Sequence, residues 1–138
     1  MQRTACVIDD EPDMVTLAAQ ILDMEGLATE EFTDAQAFQD HVHQNHVDLA
    51  VLDLVMPGMS GHELAAWLRK ESPYTRIVLM TGCAGPEMVL EGWELGCDAC
   101  VVKGKDFTAN LREATRRSLD AHELWHRSVH TVRAGYRD

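Results

Sequence analysis

The chain has 138 residues, 46% of them apolar and 25% charged, and a net charge of −11. At roughly 100–200 residues per domain, that length allows one domain and excludes separate cofactor and substrate lobes, while the composition excludes wholesale disorder. No apolar run nears the roughly 20 residues that span a bilayer, and so acidic a chain does not bind nucleic acid through its bulk field.

Met1-Gln2-Arg3-Thr4 leads directly into a strand-like run and lacks the long apolar stretch of a signal peptide, which predicts a cytoplasmic protein. Thr4-Ala5-Cys6-Val7-Ile8 reads as a short buried strand. Pro12 marks a helix start, with Asp10 as a candidate N-cap. Val15, Ala18, Ala19, Ile21 and Leu22 follow at helical spacing, and Gly26 stops the helix. Leu27 to Phe32 is a weaker, half-exposed strand. Thr33 or Asp34 caps a polar helix holding Ala37, Phe38 and Val42. Val47 to Leu52 is the strongest strand in the chain, and Pro57-Gly58-Met59-Ser60-Gly61 reads as loop. Leu64, Ala65, Trp67 and Leu68 mark a helix that Ser72-Pro73 ends. Arg76 to Met80 is a further buried strand. Gly82 to Gly85 is loop, Pro86 opens a short helix ending near Gly96, and Ala99 to Val102 is the last strand. A long helix is expected from near Asp106 or Phe107 to beyond Trp125.

These are five βα units. Strands apolar on both faces, alternating with helices, imply a parallel sheet covered on both sides, with right-handed crossovers. Residues 111–138 hold six arginines against four carboxylates, which leaves −13 on the first 110 residues. A basic C-terminal helix suits the helix dipole, and that reading is preferred to a docking surface. Cys97-Asp98-Ala99-Cys100 has the C-x-x-C form. A redox pair of that form belongs at a helix N-terminus, whereas this one runs into apolar sequence, which favours structural cysteines. A zinc site would need two further ligands nearby, and none is evident. The seven methionines read as core filler.

The polar residues that end the strands carry the chemistry. The first strand ends in Asp9-Asp10, the third in Asp53, the fourth in Thr81 and the fifth in Lys103. In an open parallel sheet, ligands bind outside the carboxyl ends of the strands, so these residues converge on one edge. Singly, a strand-end Asp or Thr is an ordinary helix-capping residue. Together, three close carboxylates repel one another unless a cation sits among them, and oxygen-only donors suit a hard cation such as Mg²⁺. A carboxylate in that setting can attack phosphorus to give an acyl phosphate, with Mg²⁺, the Lys103 ammonium and the Thr81 hydroxyl compensating the phosphoryl oxygens.

With these blocks in this order, residues 4 to about 120 resemble the receiver domain of bacterial two-component response regulators. The resemblance rests on Val7-Ile8-Asp9-Asp10-Glu11-Pro12, on Val51 through Gly61 with its Asp53-Leu54-Val55-Met56-Pro57, on Met80-Thr81-Gly82, and on Val102-Lys103. It implies a CheY-like, flavodoxin-like (βα)₅ fold with strand order 2-1-3-4-5, a receiver domain over 1–120 and a C-terminal helical extension or linker over 121–138. It implies that Asp53 takes a phosphoryl group from a sensor histidine kinase. Asp9, Asp10, Asp53 and the Val55 backbone carbonyl would bind Mg²⁺, and Thr81 and Lys103 would bind the phosphoryl oxygens. The implied module signals through contacts with a downstream protein target or output domain, not through nucleic acid or membrane, and its only catalysis is self-phosphorylation and self-dephosphorylation. The alternatives to this leading reading are the receiver portion of a larger regulator or hybrid kinase, and a degenerate, phosphorylation-independent docking module.

Three positions depart from the family pattern. Lys-Pro with a cis peptide is usual, and Lys103-Gly104 stands here; a cis bond before a non-proline costs roughly 2.5–4 kcal/mol, so a trans bond or a strained loop is expected. The switch position three residues before the lysine usually holds Tyr or Phe and here holds Cys100, so a threonine–aromatic switch cannot operate in its usual form. Val55 and Cys83 flank the site with no water-orienting group, which predicts slow self-dephosphorylation.

Beyond residue 120, Ser118, His122, Trp125, Val129, Val132 and Tyr136 recur on one helical face over about two heptads, short of a firm coiled coil. A helix folding back on its domain and a homodimer through the C-terminal helix both fit. His122, His126 and His130 read as a solvated face rather than a metal site, and His41, His43, His46 and His62 carry no interpretable pattern. A haloacid dehalogenase-type phosphatase would need an Asp where Val55 stands, and a flavodoxin would need a phosphate-cradling loop where Asp9-Asp10-Glu11-Pro12 stands, so both rivals are disfavoured.

Overall fold

The computed structural model describes residues 2–82 and 85–121. Strands and helices alternate as β1 (Thr4–Ile8), α1 (Pro12–Met24), β2 (Ala28–Phe32), α2 (Ala35–Gln44), β3 (Leu49–Asp53), α3 (Gly61–Glu71), β4 (Arg76–Thr81), α4 (Pro86–Glu94) and β5 (Ala99–Val102). Helix α5 begins at residue 107 and continues to 121, the last described residue. The five strands are all parallel and lie in the order β2-β1-β3-β4-β5.

Strand side chains alternate between the two faces of the sheet. Ala5, Val7, Leu49, Val51, Val78, Met80 and Val101 face α1 and α5, where Val15, Ile21, Leu22, Phe107 and Leu111 meet them. Cys6, Ile8, Ala50, Leu52, Ile77 and Leu79 face α2 to α4, where Phe38, Leu64, Ala65 and Leu68 cover them. The central strand β3 is buried along its whole length, whereas the edge strand β2 is largely exposed. That contrast matches the apolar run of one and the polar Thr-Glu-Glu of the other.

The structure revises several local expectations. The N-cap of α1 is Glu11, without a side-chain cap, not Asp10. Of the loop expected over 57–61, only Gly61 departs: it is the first, buried residue of α3, while the Ser60 side chain, just outside the helix, caps it by accepting the Glu63 N–H. Of the described methionines, Met80 is fully buried and Met14, Met56, Met59 and Met88 pack half-buried against the core, so only the exposed Met24 departs from core filler. Arginines of α5 engage carboxylates of this chain: Arg112 and Arg116 clamp Glu25 at the end of α1, and Arg117 pairs with Glu113. The extension beyond 121, with its heptad-like face and its histidines, lies outside the described residues. Among those described, no helix is long and apolar enough to cross a membrane.

Candidate functional site

The sheet delivers its polar strand ends to one edge, as the parallel topology requires. Asp9 follows β1 and is fully buried; Asp53 ends β3 and is 3% exposed. Asp10, one residue on, is exposed, and one carboxylate oxygen from each of Asp9, Asp10 and Asp53 lies within 4.8 Å of the others. Thr81, also buried, ends β4, and its backbone carbonyl accepts the Lys103 N–H at 2.7 Å, which fixes where the lysine leaves β5.

The Lys103 ammonium sits between the two buried carboxylates, 2.7 Å from Asp9 Oδ2 and 3.2 Å from Asp53 Oδ1. Asp9 Oδ1 accepts the Glu11 N–H at 2.9 Å. Asp9 Oδ2 is buried and, apart from this ion pair, receives no well-directed hydrogen bond. Burial raises the Asp53 carboxyl above the ordinary carboxylate range, and the neighbouring Asp9 charge raises it further; Lys103 and the Val55 N–H, which donates to Asp53, offset only part of this. Burial alone would lower the lysine, but its bond to Asp9 and the charges of both carboxylates outweigh that and raise it.

One ammonium therefore does not balance three carboxylates. Two buried acids, a third at the rim, oxygen donors only and an incompletely satisfied Asp9 Oδ2 fit a hard divalent cation such as Mg²⁺.

Backbone packing fixes the Asp53 side of the site. The Leu54 N–H donates to Met80 O at 2.9 Å, and the Gly61 N–H donates to Leu54 O at 3.1 Å. A Cβ at Gly61 would collide with the Asp53 carbonyl oxygen and the Leu54 Cα, so α3 can start this close to β3 only with glycine there.

The structure thus brings together Asp9, Asp10, Asp53, Thr81 and Lys103. It exposes the Val55 side chain beside them, and Cys83 lies outside the described residues. No peptide bond described is cis, so Lys103–Gly104 is trans, one of the two outcomes expected without proline. Cys100 is half-buried against the α2–α4 face. Its thiol is raised by burial, and Cys97 is pushed up to about 11 mainly by burial, as inert structural cysteines should be. The close approach of Gly61 and the ring of His62 were not legible in the sequence. A glycine directly after an N-cap serine, with no turn to serve, was the one hint of the first; nothing hinted at the second.

The family model for the response regulator receiver domain matches residues 5–116. Response regulator GtcR of Aneurinibacillus migulanus is 27% identical over 134 residues, covering 95% of this chain and 55% of that protein. DNA-binding response regulator MtrA of Mycolicibacterium smegmatis is 32% identical over 123 residues, covering 87% and 54%. The chain spans about half the length of the curated relatives it matches. Among solved structures, a CheY-like receiver domain protein from Methanospirillum hungatei superimposes with a TM-score of 0.82 at 26% identity, over 90% of this chain and 98% of that one. The BeF3-activated DrrB receiver domain gives 0.78 at 26% identity, over 87% and 99%.

Proposed function

Because this chain belongs to the response regulator receiver domain family, a phospho-acceptor module of two-component signalling, we propose that Asp53 is its phosphoacceptor. The observation that carries the assignment is the placement of Lys103 between Asp9 and Asp53, beside an acidic triad at the carboxyl edge of the sheet. The phosphoryl donor is a phosphohistidine of a sensor histidine kinase. An Asp53 carboxylate oxygen attacks phosphorus and the new P–O bond forms as the P–N bond breaks. The imidazole leaves with that electron pair and recovers its basic nitrogen. Asp53 is held in line by the Val55 N–H and by backbone packing against Gly61. Lys103 transfers its interaction from the carboxylate to the phosphoryl oxygens, and the Thr81 hydroxyl donates to another. Asp9, Asp10, Asp53 and the Val55 carbonyl would hold Mg²⁺, which when bound would offset the charge gathering on the phosphoryl group.

The module acts on itself and not on an external substrate. Its output is protein contact, with a downstream target or with an output domain of a longer regulator; MtrA carries the description DNA-binding, but the acidic first 110 residues here are assigned no direct contact with nucleic acid. The exposed apolar residues Val89, Leu90, Trp93 and Val102 of α4 and β5 form the contact surface. The domain occupies 1–120, with 121–138 as an extension that could pair two copies. With the Val55 flank offering no group to orient water, the phosphoryl adduct is long-lived; a rapid phosphate-release time course would refute this.

The test is intact-mass spectrometry after incubation with acetyl phosphate, with and without Mg²⁺. One Mg²⁺-dependent phosphoryl adduct, absent from Asp53→Asn, is expected. A folded wild-type chain that forms no adduct would overturn the assignment and favour a phosphorylation-independent docking module.

A further inference from the structure

Helix α4 is weakly gripped. Gly92 is its only buried residue, Gly85 gives it no side-chain cap, and no basic residue lies in its last turn. Val89, Leu90 and Trp93 face solvent. Its Glu91 and Glu94 stand toward the helix end where negative charge is unfavourable.

One side chain of α3 reaches across to it. His62 follows Gly61, whose backbone packs on Asp53, so its Cα is fixed beside the candidate acceptor. Its Nε2 lies 3.1 Å from the Met88 carbonyl oxygen and its Nδ1 lies 3.5 Å from Glu91 Oε2, with the imidazole 12% exposed and the carboxylate 58%.

Both groups that meet the ring are acceptors. A neutral imidazole has one N–H: donating from Nε2 to Met88, it turns the Nδ1 lone pair toward a carboxylate oxygen. An imidazolium donates to both. Glu91 is the charged partner from α4, with Glu87 one turn earlier on the same helix. Glu63 is the next residue on α3, residues 54–60 contain no ionisable side chain, and the sheet face beneath, at Leu52 and Leu79, is apolar.

We propose that His62 is a positioning residue that latches α4 to the start of α3, and that protonation of its ring closes the latch. The helix it holds begins five residues after Thr81, so the latch acts on the helix that follows the acidic site in the chain. This stands on the α3–α4 geometry and does not require Asp53 to be phosphorylated.

Amide hydrogen exchange of residues 88–95 in the full chain tests it, at about pH 5.5 and about pH 8, either side of the ordinary histidine pKa of about 6.5, with intrinsic rates corrected. Because Glu91 is more than half exposed, the expected gain in α4 protection at the lower pH is modest, about two- to five-fold. His62→Gln keeps a donor for Met88 but cannot titrate, and should show partial, pH-independent protection. His62→Leu should lower protection at both pH values, and Glu91→Gln should remove most of the pH response. The inference fails if wild-type α4 protection does not change with pH, if His62→Leu keeps the wild-type response, or if the α4 change is no larger than that of the β3 and β4 amides, which report global stability. Absence of an acetyl-phosphate adduct would bear on the Asp53 assignment alone, and a normal adduct with flat exchange would defeat the latch alone.

Discussion

The β3–α3 and β4–α4 units have the same plan and opposite grips. In the first, β3 is buried from end to end, and α3 buries Gly61, Leu64, Ala65 and Leu68. Ser60 caps α3, Glu63 lies in its first turn, and Arg69 and Lys70 lie in its last, as the helix dipole favours. In the second, β4 is as well buried as β3, but α4 buries Gly92 alone and has neither a side-chain cap nor a basic last turn. The Asp53 carboxylate, the proposed acceptor, is thus carried on the fixed unit, while the helix following Thr81 has few buried contacts to hold it. A signalling module needs that division: geometry for transfer must be preorganised, and a response needs an element whose alternative positions differ little in free energy.

The sharpest way to break the fixed side is at Asp53 itself. Asp53→Asn should abolish the phosphoryl adduct completely. It should also report the strain of the buried charge. Because the folded-state pKa of Asp53 is raised, the native state binds its proton more readily than the unfolded chain does, so wild-type stability falls as pH rises through the window above the unfolded value of about 3.9. In metal-free buffer the variant's stability advantage over wild type should therefore grow from about pH 4 toward neutrality. Urea titrations at several pH values check the sign, and added Mg²⁺ should shrink the difference by compensating the carboxylates.

Lys103→Met removes the ammonium between Asp9 and Asp53. Adduct formation from acetyl phosphate should slow by about 10²-fold, the usual scale for losing one charge-stabilising donor; a rate within a few-fold of wild type would mean Lys103 does not meet the phosphoryl group.

Two glycine substitutions then separate the units. Gly61→Ala drives a methyl into the backbone of Asp53 and Leu54, which cannot yield, and should cost ~1–3 kcal/mol in chemical denaturation. Gly92→Ala meets only the Leu79 Cδ1, 2.7 Å from the added carbon, and a side-chain tip under a loosely held helix can move aside. The gain of up to about 1 kcal/mol in helix propensity offsets the crowding, so its stability should stay within about 1 kcal/mol of wild type. Equal losses for both would erase the contrast between α3 and α4. The smallest effect belongs to Trp93→Ser. With the indole 75% exposed, stability should change by no more than about 0.5 kcal/mol, and any loss should appear in partner binding.

The sequence alone determined the βα alternation, the parallel sheet and the strand-end residues Asp9, Asp53, Thr81 and Lys103. It could do so because a doubly covered parallel strand must be apolar along its length, as Val51-Leu52 and Val78-Leu79 are, and because the residue that leaves its carboxyl end must face the ligand edge. The order of the motifs added the family. The tertiary structure decided what depends on approach between distant segments. That Gly61 is a contact and not a turn follows from where α3 meets Asp53. That Lys103 bridges two carboxylates follows from the register of β5 on β4. That His62 touches the Met88 carbonyl, 26 residues away, follows from the packing of α3 against α4. Periodicity reports which side of an element is buried; it carries no information on which atom of another element arrives there, and hydrogen bonds and ion pairs are settled by that atom.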